Sequence, residues 1–265
     1  MSEDRSGAEP RRARPLAEER FLGVERLLGP RDAARLARAA VCVAGLGGVG
    51  SWVVESLART GVGRLVLIDG DVVRPGNLNR QLHALETTIG LPKAEAMARR
   101  IAQINPRACV ETKIAFLDPE DPEALFPEAV DAVVDAIDHP AAKAALIARC
   151  KARGVPVVVS GGAGGRVAPH LVRVSDLAAS DHDPLLARVR KLLRRRYGFP
   201  RRRSWGIRCV WSPEPMTASS PAASDDSGML QESQGRVYGT VSFVTGVFGL
   251  LCAAETVRLL LDASW

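Results

Sequence analysis

The sequence predicts an α/β fold: a doubly wound, mostly parallel sheet with an N-terminal helical arm and a C-terminal helix. Three observations carry that prediction. Short apolar runs alternate with helix-length stretches from Val41 to Ser160. A glycine-rich turn comes directly after the first apolar run. The 265 residues are 46% apolar and 25% charged, enough for a large core and too apolar for a chain disordered throughout.

Residues 1–17, with Pro10, Arg11, Arg12, Arg14 and Pro15, read as a disordered arm, and 18–265 as one domain. Glu18 to Ala40 has helical spacing with a break at Gly29-Pro30. Val41 to Ala44 suits a buried parallel strand, and a helix runs from about Val49 to Arg59. Arg64 to Asp69 is a second strand. Pro92 opens a helix that ends near Ile104, before Asn105-Pro106. Val110–Phe116, Ala129–Ile137 and Val155–Ser160 read as three further strands, with a helix over Ala141–Arg153. Past Ser160 the rhythm breaks. Gly161 to Gly165 is a loop, Val167–Val174 adds strand to the sheet edge, and a basic helix spans about Pro184 to Tyr197. Residues 212–236 are rich in proline and serine, so about 176–236 reads as a partly disordered insertion.

Charge is concentrated. The net charge is +6, yet ten basic residues and no acid lie between Pro184 and Arg208. Arg188, Arg190, Lys191, Arg194, Arg195 and Arg196 stand on the predicted helix, which points to a polyanionic partner or to a solvated basic face. Five cysteines, never spaced C-x-x-C, argue against a disulfide framework or a four-cysteine zinc site. With no apolar export signal in residues 1–40, a cytoplasmic setting is expected. Val237 to Ala254 carries no charge, at the lower limit for a membrane span. Its glycines and hydroxyls favour a helix buried against the sheet or a dimer mate, with membrane association left open.

Gly45, Gly47, Gly48 and Gly50 let the backbone approach phosphate oxygens at a helix N-terminus. The spacing satisfies G-x-G-x-x-G, and Asp69 ends strand two, so a Rossmann-like dinucleotide site is the default reading. The residues after Asp69 change it. Asp71, Asn77, Arg80 and Gln81, then Gly90-Leu91-Pro92-Lys93, bring an arginine and a lysine toward the phosphates. An NAD-dependent oxidoreductase leaves both unexplained. An enzyme that expels pyrophosphate uses them, because charge builds on the leaving oxygens. Asp138 adds a carboxylate on the same edge that could hold magnesium.

G-x-G-G-x-G-S, D-x-D, N-x-x-R-Q, G-x-P-K and D-x-x-D, in order over residues 41–138, resemble the adenylating domain of ubiquitin-activating-like enzymes. Asn79–Leu85, Ile104-Asn105-Pro106, Lys143–Ala148, Gly161–Gly165 and Cys209–Glu214 resemble one branch, the tRNA threonylcarbamoyladenosine dehydratases, over roughly 18–262. The resemblance implies ATP on Gly45, Gly47, Gly48 and Gly50, with its ribose on Asp69. Asn77, Arg80 and Lys93 would engage the phosphates, Asp138 the magnesium, and Arg20 the partner subunit's ATP, with Arg26 as second choice. It implies ATP-dependent closure of the threonylcarbamoyl group to a cyclic hydantoin, by a homodimer acting on tRNA. The alternative is adenylation of a sulfur carrier's C-terminus.

Some candidates have plainer readings. Asp71 and Asp135 read equally as strand-end turn residues, and His83 and His139 as surface histidines. Cys42, Cys109, Cys150 and Cys252 read as packing residues. Cys209 stands outside such runs and is the candidate thiol, through which sulfur-transfer accessory proteins would be partners. Ser233 and Gln234 occupy the place where some relatives carry a cysteine.

Overall fold

A computed structural model describes residues 19–217 and 238–262. The expected arm at 1–17, most of the serine-rich stretch, and Ser233 and Gln234 lie outside the described residues.

Gly29, at φ +87°, turns the chain between α1 (Leu22–Leu28) and α2 (Pro30–Arg38), with Pro30 at the helix start. β1 (Ala40–Ala44) then enters the core, followed by α3 (Gly50–Arg59) and β2 (Arg64–Ile68). α4 (Lys93–Ile104), β3 (Cys109–Lys113), β4 (Ala132–Asp135), α5 (Pro140–Arg153) and β5 (Val157–Ser160) continue the alternation. The chain closes with β6 (Arg173–Asp176), α6 (Pro184–Arg196), β7 (Arg208–Trp211) and α7 (Ser242–Leu261).

The seven strands lie in the order β3-β2-β1-β4-β5-β7-β6. All neighbouring pairs are parallel except β6 with β7. Alternate side chains face opposite layers, as a pleated strand requires. Val41, Val43, Leu65, Leu67 and Val134 pack on α3, α4 and α7; Cys42, Val66, Val133 and Val159 pack on α5 and α6.

Two expectations are corrected by the topology. The stretch read as an insertion supplies β7, which sits inside the sheet against β5. Of Val167–Val174, only the last two residues join a strand, because Pro169–Leu171 forms a 3₁₀ turn and Val167 is exposed. α7 is long and apolar enough to cross a bilayer, but most of it is buried within the protein. Its Gly249 lets it approach α3 closely: a Cβ there would stand 2.5 Å from Trp52 Cβ and 2.7 Å from the Val49 carbonyl oxygen.

Candidate active site

The glycine loop leaves β1 at the carboxyl edge, beside the point where β1 and β4 take their chains to opposite sides. Gly45 has φ +85°, and a Cβ there would lie 2.8 Å from Ala136 backbone atoms. Gly50 is tighter still, with its Cβ position 1.8 Å from the Gly45 oxygen. These two glycines shape the loop. Gly47 has nothing within 4 Å of its Cβ position, and Gly48 meets Thr245 at 3.1 Å and Arg80 at 3.3 Å. α3 begins at Gly50 without a side-chain cap. Ser51 N and Val53 N donate to the Gly47 and Val49 oxygens, each at 3.1 Å, so what the helix start offers an anion is its positive dipole end.

Asp69 braces the loop. Its carboxylate accepts from Leu46 N at 2.6 Å and from Asp71 N at 2.8 Å, and burial pushes its pKa up. Two residues on, Asp71 accepts from Lys93 Nζ at 2.8 Å. Lys93 is only 3% exposed, so the carboxylate that pairs with it also fixes where its ammonium stands. Asp71 is therefore more than a turn residue.

Asn77 is buried, and its Oδ1 accepts from Arg74 N at 3.0 Å, closing the short turn that leads to Arg80. Arg80 donates to Gly76 O at 2.7 Å and Asn79 Oδ1 at 2.9 Å. Burial lowers its pKa, and the Asp138 charge opposes that shift. Asp138 itself is exposed, in the turn after β4. Beneath it, Asp135 and Lys143 form a fully buried ion pair at 3.1 Å. Burial pushes Asp135 upward, with Lys143 opposing.

Farther along the same edge, the Gly161–Gly165 loop leaves β5. Asp183 accepts from Gly162 N at 2.9 Å and lies 3.6 Å from buried Arg166. Glu214, just past β7, accepts from Val167 N at 2.9 Å and Ala168 N at 3.0 Å. Separate sequence motifs thus meet at this edge of the sheet.

Residues 20–264 match the ThiF family. The chain belongs to that family. It is 40% identical over 247 residues to a tRNA threonylcarbamoyladenosine dehydratase of Haemophilus influenzae, covering 92% of this chain and 94% of that protein. A Bacillus subtilis protein of the same description is 38% identical over 190 residues, covering 72% and 73% respectively. The crystal structure of the E. coli tRNA N6-threonylcarbamoyladenosine dehydratase in complex with ATP aligns with TM-score 0.83 at 38% identity. That alignment covers 92% of this chain and 95% of the other.

The ThiF-family fold brings Gly45, Gly47, Gly48, Gly50, Asp69, Asp71, Asn77, Arg80, Lys93 and Asp138 to one end of the sheet. Arg20 is not among them. It lines a cavity of about 400 Å³ with Phe21, Arg59, Arg100, Gln103 and Ile104. Arg59 ends α3 while Gly50 begins it, a helix span of about 14 Å.

Cys209 is corrected. It lies fully buried on β7, and burial raises its thiol pKa well above the ordinary value, so the nucleophilic thiolate is disfavoured. The exposed cysteine is Cys109, expected to be a packing residue; it opens the edge strand β3.

The basic helix is also less uniform than its sequence. Leu186, Val189 and Leu193 bury one stripe, drawing neighbouring arginines inward. Arg190 is half-buried and hydrogen-bonds the Ser180 hydroxyl; Arg194 stacks 5.4 Å from the Trp205 ring centroid. Those two are corrected from free RNA-facing cations to anchored ones. Arg196 pairs with Glu120 at 3.3 Å. Lys191, Arg195 and Arg201 are exposed and share a shallow cleft with Arg194. α6 starts beside Gly162 and runs toward Trp205, ahead of β7. Its basic end therefore stands about 18 Å along the helix from the carboxyl edge.

Two features of the site are not legible in the sequence. His83 is buried, not on the surface; burial, with Lys93 and Arg100 nearby, pushes its pKa down to about 4. Phe116 is 70% exposed and lies over Gly70, where ring atoms come within 2.7 Å of a Cβ position. It presents an aromatic face next to Asp69. The small residue between two carboxylates is the available signal.

Proposed function

We propose that this chain is an ATP-dependent tRNA threonylcarbamoyladenosine dehydratase. The observation that carries the reading is the meeting of Arg80, the Asp71–Lys93 pair and Asp138 around the uncapped start of α3. Likeness to the dehydratases over nearly the whole chain supports it.

ATP lies along the glycine loop, its ribose toward Asp69. The threonyl carboxylate attacks the α-phosphorus, and the bond to pyrophosphate breaks. Arg80 and Lys93 stabilise the charge that grows on the departing oxygens. The nitrogen joined to adenine then attacks the acyl carbon of the adenylate. AMP leaves, that nitrogen loses its proton, and a five-membered ring closes with net loss of one water from the nucleoside.

Among the described residues, no group of three or more His, Cys, Asp or Glu could form a metal cage. Magnesium needs none: one or two carboxylates, substrate phosphates and water suffice. Asp138 fits that donor set and would hold the ion. Bound there, magnesium would offset charge on the triphosphate.

Arg20, distant from its own chain's loop, serves the ATP of a second subunit, so the working form is a homodimer. The tRNA backbone lies over Lys191, Arg195 and Arg201. Log affinity for tRNA then falls against log salt by roughly 0.7–0.9 per phosphate neutralised. Replacing Lys191, Arg195 and Arg201 by alanine flattens that slope and weakens binding, with ATP affinity unchanged. A titration at several salt concentrations checks this; wild-type slopes in the variant would place the RNA contacts elsewhere.

Thermal denaturation with nucleotides tests the ATP reading. Magnesium-ATP at about 100 times Kd adds about 2.7 kcal/mol, roughly 5–10 °C for a chain of this size, and NAD adds little. A larger shift with NAD than with ATP would overturn the reading.

A further inference from the structure

Lys143 is fully buried, and its ammonium grips the turn after β4. Its Nζ donates to Asp135 O and Ile137 O, each at 3.0 Å, and lies 3.1 Å from Asp135 Oδ1. Asp135 Oδ1 also accepts from Ile137 N at 3.1 Å. The same turn is wedged against the glycine loop: Ala136 N donates to Ala44 O at 2.9 Å, and Gly45 packs on the Ala136 backbone. Asp138 is the next residue after Ile137.

Such a pair is a poor device for stability alone. Removing a lysine and an aspartate from water is costly, and apolar residues of similar volume often hold a core as well. What an apolar pair cannot do is hold two carbonyl oxygens of the turn from below. Three donors on one ammonium meet that need.

We infer that Lys143 is a positioning residue for the adenylation step: with Asp135 it fixes the 135–138 turn, and so sets Asp138 and the Gly45 loop at their working separation around ATP. This role rests on the ATP-site reading under Proposed function. It gives Lys143 no contact with substrate.

The test compares full-length wild type, Lys143→Met, Lys143→Arg and the double variant Asp135→Asn with Lys143→Met. Each is measured for Tm, for direct ATP binding by calorimetry, and for cyclisation kinetics against ATP and against tRNA. Lys143→Met leaves a buried carboxylate unpaired and lowers Tm. The double variant removes that charge and recovers most of the Tm. It nevertheless keeps a loss in kcat/KM for ATP of roughly 10²-fold, the effect of a displacement near 1 Å, with weakened ATP binding and an unchanged KM for tRNA.

Recovery of Tm, ATP binding and turnover together in the double variant would overturn the assignment and leave the pair purely structural. If neither methionine variant folds, Lys143→Arg decides. Its planar fork keeps the charge but cannot place one nitrogen on both carbonyls, so a folded variant with weakened ATP binding supports the role. Wild-type binding and turnover in that variant would overturn it. Wild-type protein that fails to bind ATP would sink the ATP-site reading first, and the positioning role with it.

Discussion

Replacing Asp138 by alanine leaves the protein folded and lowers ATP-dependent cyclisation by roughly 10²–10³-fold, the usual consequence of losing one preorganised electrostatic partner. The side chain is exposed, in a turn already held from below by Lys143. A surface change of this kind usually moves stability by less than about 0.5 kcal/mol. The two effects therefore separate cleanly. Tm and turnover measured on the same preparation check this, and unchanged turnover would remove Asp138 from the site.

The second large effect belongs to Gly50→Ala. Helix propensity alone favours alanine at this first residue of α3 by up to about 1 kcal/mol. Steric contact argues the other way, because the new Cβ would stand 1.8 Å from the Gly45 oxygen. That oxygen has little freedom: Gly45 N donates to Ile68 O at 2.9 Å, and Gly45 lies against Ala136. Contact wins. Overpacking of about 1–3 kcal/mol corresponds to a Tm lower by roughly 2–12 °C, and the displaced loop loses ATP. Gly47→Ala is the control for Tm alone, since no protein atom lies within 4 Å of its Cβ position. A Gly50→Ala protein with raised Tm and intact ATP binding would contradict this view of the loop.

The parts of the fold legible in the sequence are those set by local pattern. β1, the glycine turn and α3 succeed one another with no gap, so an apolar run and its punctuation define them. Asp69 and Asp138 fall just past strand ends for the same reason. β7 is not legible, because Arg208–Trp211 has only four residues and its place depends on pairing with β5, about fifty residues earlier. Arg190 and Arg194 look identical to their neighbours in sequence. Only Ser180 and Trp205, brought in by tertiary packing, distinguish them. Cys209 misleads in the same way, since burial on β7 comes from the sheet and not from its neighbours in sequence. The Asp71–Lys93 pair spans 22 positions, which residue type alone cannot reveal.

Mass spectrometry of nucleosides bears on the dehydratase reading without an intermediary. Transfer RNA bearing threonylcarbamoyladenosine is incubated with the purified protein, ATP and magnesium, then digested gently enough to preserve a hydantoin. The expected result is ATP-dependent conversion of the modified nucleoside to a product lighter by one water, with AMP and pyrophosphate released. An unchanged nucleoside mass with ATP bound and tRNA present would contradict it.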